Sequence, residues 1–103
     1  MIRGTTPTLQ FNLPFETSII KSAEIVLQYV DDNKEVIIEK KLEDCEVGTA
    51  HISTRLTQEE TLKFPATATV GVQLRILTNE DDAHATKIYY VTVKRLLKGD
   101  VIE

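Results

Sequence analysis

Residues 8–13 alternate between apolar Leu9, Phe11 and Leu13 and polar Gln10 and Asn12. A period of two puts the apolar set on one face, which predicts a half-buried strand ended by Pro14. Ala23–Val30 repeats the pattern, with Ala23, Ile25, Leu27 and Tyr29 on one face and Val26 and Val30 opposite, Glu24 and Gln28 between them. Asp31-Asp32-Asn33-Lys34 is turn chemistry, and Glu35–Lys41 returns as a strand, so the pair reads as a hairpin. Between the first two strands, Phe15–Lys21 is a connector with room for one short turn after Thr17 or Ser18. Leu42–Gly48 is acidic and irregular.

Thr49–Leu56 predicts a further strand, with Ala50, Ile52, Thr54 and Leu56 inward and His51, Ser53 and Arg55 outward. Thr57 and Glu60 then form a capping box, since each side chain can satisfy the amide at the other's position. One helical turn is expected over residues 58–63, stopped by Pro65. Thr67–Leu77 alternates most clearly, with Val70, Val72, Leu74 and Ile76 on one face. Thr78-Asn79-Glu80-Asp81-Asp82 is a polar loop tip. Ala85–Arg95 reads as one long last strand of β-branched and aromatic residues.

Six to seven short strands joined by short loops predict an all-β chain, an antiparallel β-sandwich of Ig-like or jelly-roll-like kind. The Trp and paired Cys of antibody domains are absent, so that likeness is architectural. A small barrel is the alternative. A βαβ arrangement is disfavoured, because no amphipathic segment of crossover length occurs. With 103 residues, the expectation is a single domain over 1–103 with short arms at 1–7 and 96–103.

Charge and composition narrow the chemistry. Lys and Arg number 12 against 16 Asp and Glu, a net charge of -4, which argues against nucleic acid as the main partner. The longest apolar run, Ile88–Val91, is far below the ~20 residues that span a bilayer, so no membrane partner is expected. No charged-then-apolar leader is visible. Cys45 is the only cysteine, which excludes an internal disulfide framework. It lies among Glu43, Asp44 and Glu46, whose charges would raise its thiol pKa rather than activate it.

His51 and His84 sit in no nucleophile–base motif, and no cysteine–histidine spacing suits zinc. Two acidic tips, Asp31-Asp32-Asn33 and Asn79–Asp82, have the oxygen donors calcium takes but no known loop spacing, so they read as solvated turns. No cofactor is expected and no enzyme activity. Tyr89 and Tyr90 are neighbours on a strand and point to opposite faces, one expected in the core and one outside.

The two ends hold apolar residues that no strand pattern requires. They either fold back on their own sheet or dock on a neighbouring subunit. The residues expected to bind protein are Ile2, Arg3, Thr5 and Thr6 at one end and Leu96, Leu97, Val101 and Ile102 at the other.

The opening Met1-Ile2-Arg3-Gly4-Thr5-Thr6-Pro7-Thr8, followed by Phe11 and Leu13-Pro14-Phe15, resembles a family of short phage and prophage proteins from gut Firmicutes. The likeness continues at Leu56–Phe64, Val72–Thr78 and Val91–Leu97, in the same order along nearly the whole chain. It implies a non-enzymatic virion structural protein, such as a decoration, connector, tail or baseplate component. Such a protein is made in the bacterial host cytoplasm, resides in the virion, and oligomerises with copies of itself or other virion proteins. A carbohydrate-binding or host-adhesion module is the alternative, with Tyr29, Tyr89 and Tyr90 as its aromatic candidates.

Overall fold

The computed structural model describes residues 1–31 and 34–103. Its strands are β1 (Thr8–Asn12), β2 (Ile20–Val30), β3 (Glu35–Lys41), β4 (Glu46–Val47), β5 (His51–Arg55), β6 (Thr69–Thr78), β7 (Ala83–Ala85) and β8 (Tyr89–Thr92). They form two antiparallel sheets. The smaller has the order β1-β5-β4, and the larger runs β3-β2-β6 with β7 and β8 both paired to β6. Gly71 faces Gln28 on one side and Tyr90 on the other, and Arg75 faces Glu24 and Ala85. The short strands therefore lie end to end along one edge of β6.

The chain crosses between sheets after β1, β3 and β5, so neither sheet is built from one continuous stretch. The inward faces meet in a common core. Ile25, Leu27, Val70 and Leu74 of the large sheet pack with Ile52 of β5 and with Leu56 and Phe64 from the chain around the helical turn. This is the antiparallel sandwich that period-two alternation leads to.

The helical turn α1 (Gln58–Leu62) forms where the capping box places it. Thr57 Oγ1 accepts from the Glu60 amide at 3.1 Å, and Glu60 Oε1 accepts from the Thr57 amide at 2.9 Å. Lys40 on β3 ties this turn to the large sheet by donating to Glu60 at 2.8 Å. Burial pushes the Glu60 carboxyl up, but the bonds from Lys40 and the Thr57 amide outweigh it and hold the pKa below its ordinary value.

Four expectations need correction. The last long strand is broken. Thr86 Oγ1 accepts from the Leu74 amide at 3.2 Å, so a side chain stands in for a main-chain carbonyl and the ladder is interrupted between β7 and β8. Neither Tyr89 nor Tyr90 is buried, because β8 is an edge strand. Tyr89 turns toward the other sheet and meets Phe11 edge-on with ring centroids 6.1 Å apart, while Tyr90 stays on the outer face.

The third correction concerns β5. Ser53, expected outward, is buried, and Ala50, expected inward, lies before the strand and is exposed. Ser53 is covered because β5 is the middle strand of its sheet, with Gln10 and Glu46 beside it. The fourth concerns Cys45. Its thiol pKa is raised, in the expected direction and with Asp44 and Glu43 both contributing, but desolvation by burial comes first among the causes.

Candidate assembly surface

The amino-terminal arm takes the first of its two courses and folds back on its own domain. Val93 continues the line of β8 by exchanging bonds with residues 67 and 68: its amide donates to the Ala68 carbonyl at 2.8 Å, and its carbonyl accepts from Thr67 at 2.9 Å. On its other side this segment takes the arm. Ile2 forms a parallel bridge with Lys94, whose amide donates to the Met1 carbonyl at 2.6 Å.

Arg3 leaves this bridge toward α1. Its Nε donates to the Phe64 carbonyl at 2.6 Å and its Nη2 to the Leu62 carbonyl at 3.0 Å. Those carbonyls are the unpaired end of a helical turn, where a cation is favourable. Gly4 then turns with φ +73°, and a side chain there would meet Leu96 and Leu62. Thr5 closes the turn by donating to the Ile2 carbonyl at 2.6 Å, and its own carbonyl accepts from buried Thr61 at 2.9 Å. Thr6 Oγ1 accepts from Arg55 at 3.1 Å, and the Pro7 carbonyl accepts from the Leu56 amide at 2.9 Å.

The carboxy-terminal segment behaves differently. Leu96 is half-buried against Gly4, but Leu97 is 92% exposed and Ile102 79% exposed, with Val101 at the edge of exposure. The segment loops back to α1. There the Gln58 side-chain amide grips one residue from both ends: Nε2 donates to the Ile102 carbonyl at 3.0 Å, and Oε1 accepts from the Ile102 amide at 2.7 Å. Among the described residues, no bond between backbone groups ties 95–103 to the rest of the chain.

The two ends thereby border one open cavity of about 1190 Å³. Thr5, Thr6, Leu96, Leu97, Val101 and Ile102 all line it, whereas Ile2 and Arg3 are spent on the bridge and the helix end. The grip of Gln58 had no signature in the sequence, since its partner is 44 residues away. An amide at the first position of a helical turn reads there as solvated.

The other candidates are engaged or dispersed. Tyr29 donates its hydroxyl to Asp31 at 2.7 Å and, among the described residues, stacks on no other ring. Asp32 and Asn33, in the first acidic tip, lie outside the described residues. In the second tip, Asp81 pairs with Lys21 at 3.2 Å. Among the described residues, no group of three or more His, Cys, Asp or Glu side chains is placed to hold a metal ion. No protein-family model matches the chain, and no curated protein matches it in sequence.

Proposed function

We propose that this chain is a non-enzymatic structural component of a phage or prophage virion, acting by protein–protein assembly through its carboxy-terminal segment. One observation carries the assembly part: Leu97 and Ile102 stand in water on a segment held mainly by one glutamine. Burying a leucine or isoleucine contributes roughly 1.5–3 kcal/mol, so a neighbour that covers both gains substantially. The virion context comes from the resemblance of the Arg3-Gly4-Thr5-Thr6-Pro7-Thr8 opening. The structural uses of Arg3, Gly4, Thr5 and Thr6 give that motif a physical role: it fixes the floor on which the segment rests.

Leu97→Asp combined with Ile102→Asp tests the reading. Both side chains are mostly in water, so circular dichroism and thermal unfolding stay as in the parent. The substituted chain is then expected to be missing from particles that incorporate the parent chain. Normal incorporation would refute assembly through this segment.

Tyr90 favours a second reading, a carbohydrate-binding or adhesion module, because the residue is 71% exposed on the outer face of the large sheet. However, Tyr90 pairs directly across from Gly71 and, together with Ile88, which comes closer, covers the space that glycine leaves. Covering a strand glycine is a structural use for an exposed ring. Binding to host wall glycans that is lost in Tyr90→Ala would favour the second reading.

A further inference from the structure

We propose that Arg95–Glu103 is a self-complementary pairing strand, which opens from its own domain and pairs antiparallel with the same segment of a second copy about Gly99. The inference rests on the assembly reading above and deepens it by naming the partner.

In an antiparallel pairing centred on Gly99, Lys98 faces Asp100 of the second copy, and Leu97 faces Val101. Further out, Leu96 faces Ile102 and Arg95 faces Glu103. Every position meets either an opposite charge or an apolar partner, on both faces of the ribbon. Directly opposed pairs of this kind each stabilise a sheet, whereas like charges in opposition destabilise it. Gly99 at the two-fold axis removes the side chains that would be closest there. Because the operator is two-fold, each favourable pair occurs twice and the contact closes without propagating.

The closed form in the free chain has the same logic. The segment bends at Leu97, Lys98 and Asp100, and Lys98 pairs with Asp100 of its own chain at 3.4 Å, with both side chains well exposed. An ion pair this exposed adds little stability. Gln58 provides the firmer hold, by gripping the main chain of Ile102. The bend satisfies the polar groups but leaves Leu97 and Ile102 in water. Opening the bend exchanges the internal pair for the same pair between copies and gives both apolar residues a partner. Gln58 therefore works as a latch on the closed form.

Sedimentation velocity on the purified full chain over a wide concentration range tests this. The parent is expected to form a dimer at high concentration. Lys98→Asp opposes like charges twice and should weaken dimerisation by at least tenfold. Adding Asp100→Lys to it restores the opposite signs and should restore the dimer. Gln58→Ala releases the latch and should strengthen dimerisation. If the substituted chain fails to fold, the Gly99→Cys variant in a Cys45→Ala background gives an independent answer. Residues opposed across a two-fold lie within disulfide reach, so oxidation should link the copies rapidly. An oligomer indifferent to the charge reversal would overturn the ribbon while leaving assembly standing. A chain that is monomeric throughout would overturn self-pairing altogether, and incorporation into particles would then decide the assembly reading on its own.

Discussion

The guanidinium of Arg3 closes the helical turn that ends near Phe64, donating through Nε to the Phe64 carbonyl at 2.6 Å and through Nη2 to the Leu62 carbonyl. Two residues 61 positions apart thus join the amino-terminal arm to the turn that carries Gln58. A charged donor serving main-chain oxygens in a half-buried place contributes about 1.5–3 kcal/mol. Arg3→Ala should lower the unfolding free energy by about that much in urea. Arg3→Lys should recover only part, because one ammonium lacks the fork that reaches both carbonyls. A midpoint unchanged in Arg3→Ala would show that the arm rests on the bridge alone.

Gly4 is the next residue under constraint. Its φ of +73° is strained for any side chain, and an added Cβ would come within 2.7 Å of Leu96 Cδ2. Gly4→Ala should therefore destabilise the chain by about 1–3 kcal/mol and displace Leu96 first. Faster amide exchange at Lys94, which donates to the Met1 carbonyl, would report that displacement. Parent-like exchange there would mean that the turn tolerates a side chain.

Thr86 supplies a bond that a strand would ordinarily take from its backbone. Its hydroxyl accepts from the amide of Leu74, a fully buried residue at the centre of β6. Thr86→Val keeps the shape and leaves that amide without its acceptor, at a cost of about 1–3 kcal/mol. Thr86→Ser should keep most of the stability. Equal losses in both would show that the methyl group, not the hydroxyl, matters.

The interrupted edge also marks what alternation along the chain can and cannot disclose. Val70, Val72, Leu74 and Ile76, and Ala23, Ile25 and Leu27, were legible as core because each strand keeps a strict period of two. The capping box at Thr57 and Glu60 was legible because its partners are three residues apart. Periodicity names a face but not which strand lies at the edge, so it puts one of Tyr89 and Tyr90 in the core, where neither lies, and puts Ser53 in solvent, where it is buried. The Thr86 interruption, the Arg3 cap and the Gln58 grip all depend on partners distant in sequence. Of the residues expected at the two ends, Leu97 and Ile102 carry the surplus hydrophobicity that the strand pattern does not use, and the structure leaves both exposed. Folding back of the ends was one of the two courses open from sequence, but the partners of Arg3 and Thr5 within the domain were not legible.

Stability should also depend on acidity through Glu60. Its folded pKa lies below its ordinary value of 4.5, so the charged carboxylate stabilises the fold. That contribution is complete above the unfolded value and is lost as pH falls through the lowered folded value. The unfolding free energy of the parent should therefore decline on acidification below about pH 5. In Glu60→Gln the decline should be shallower, from a lower starting stability at neutral pH. Parallel curves for parent and variant would assign the acid sensitivity to other carboxylates, such as Glu24, which Lys41 and Arg75 hold below its ordinary value.

The most direct measurement is the protein content of gradient-purified phage particles induced from a bacterium that carries the gene for this chain, quantified by mass spectrometry. The account predicts that the chain travels with the particle band at a fixed ratio to the major capsid protein. It also predicts that the ratio collapses when Leu97 and Ile102 are both replaced by aspartate. A chain that stays in the soluble fraction while particles are complete would contradict it.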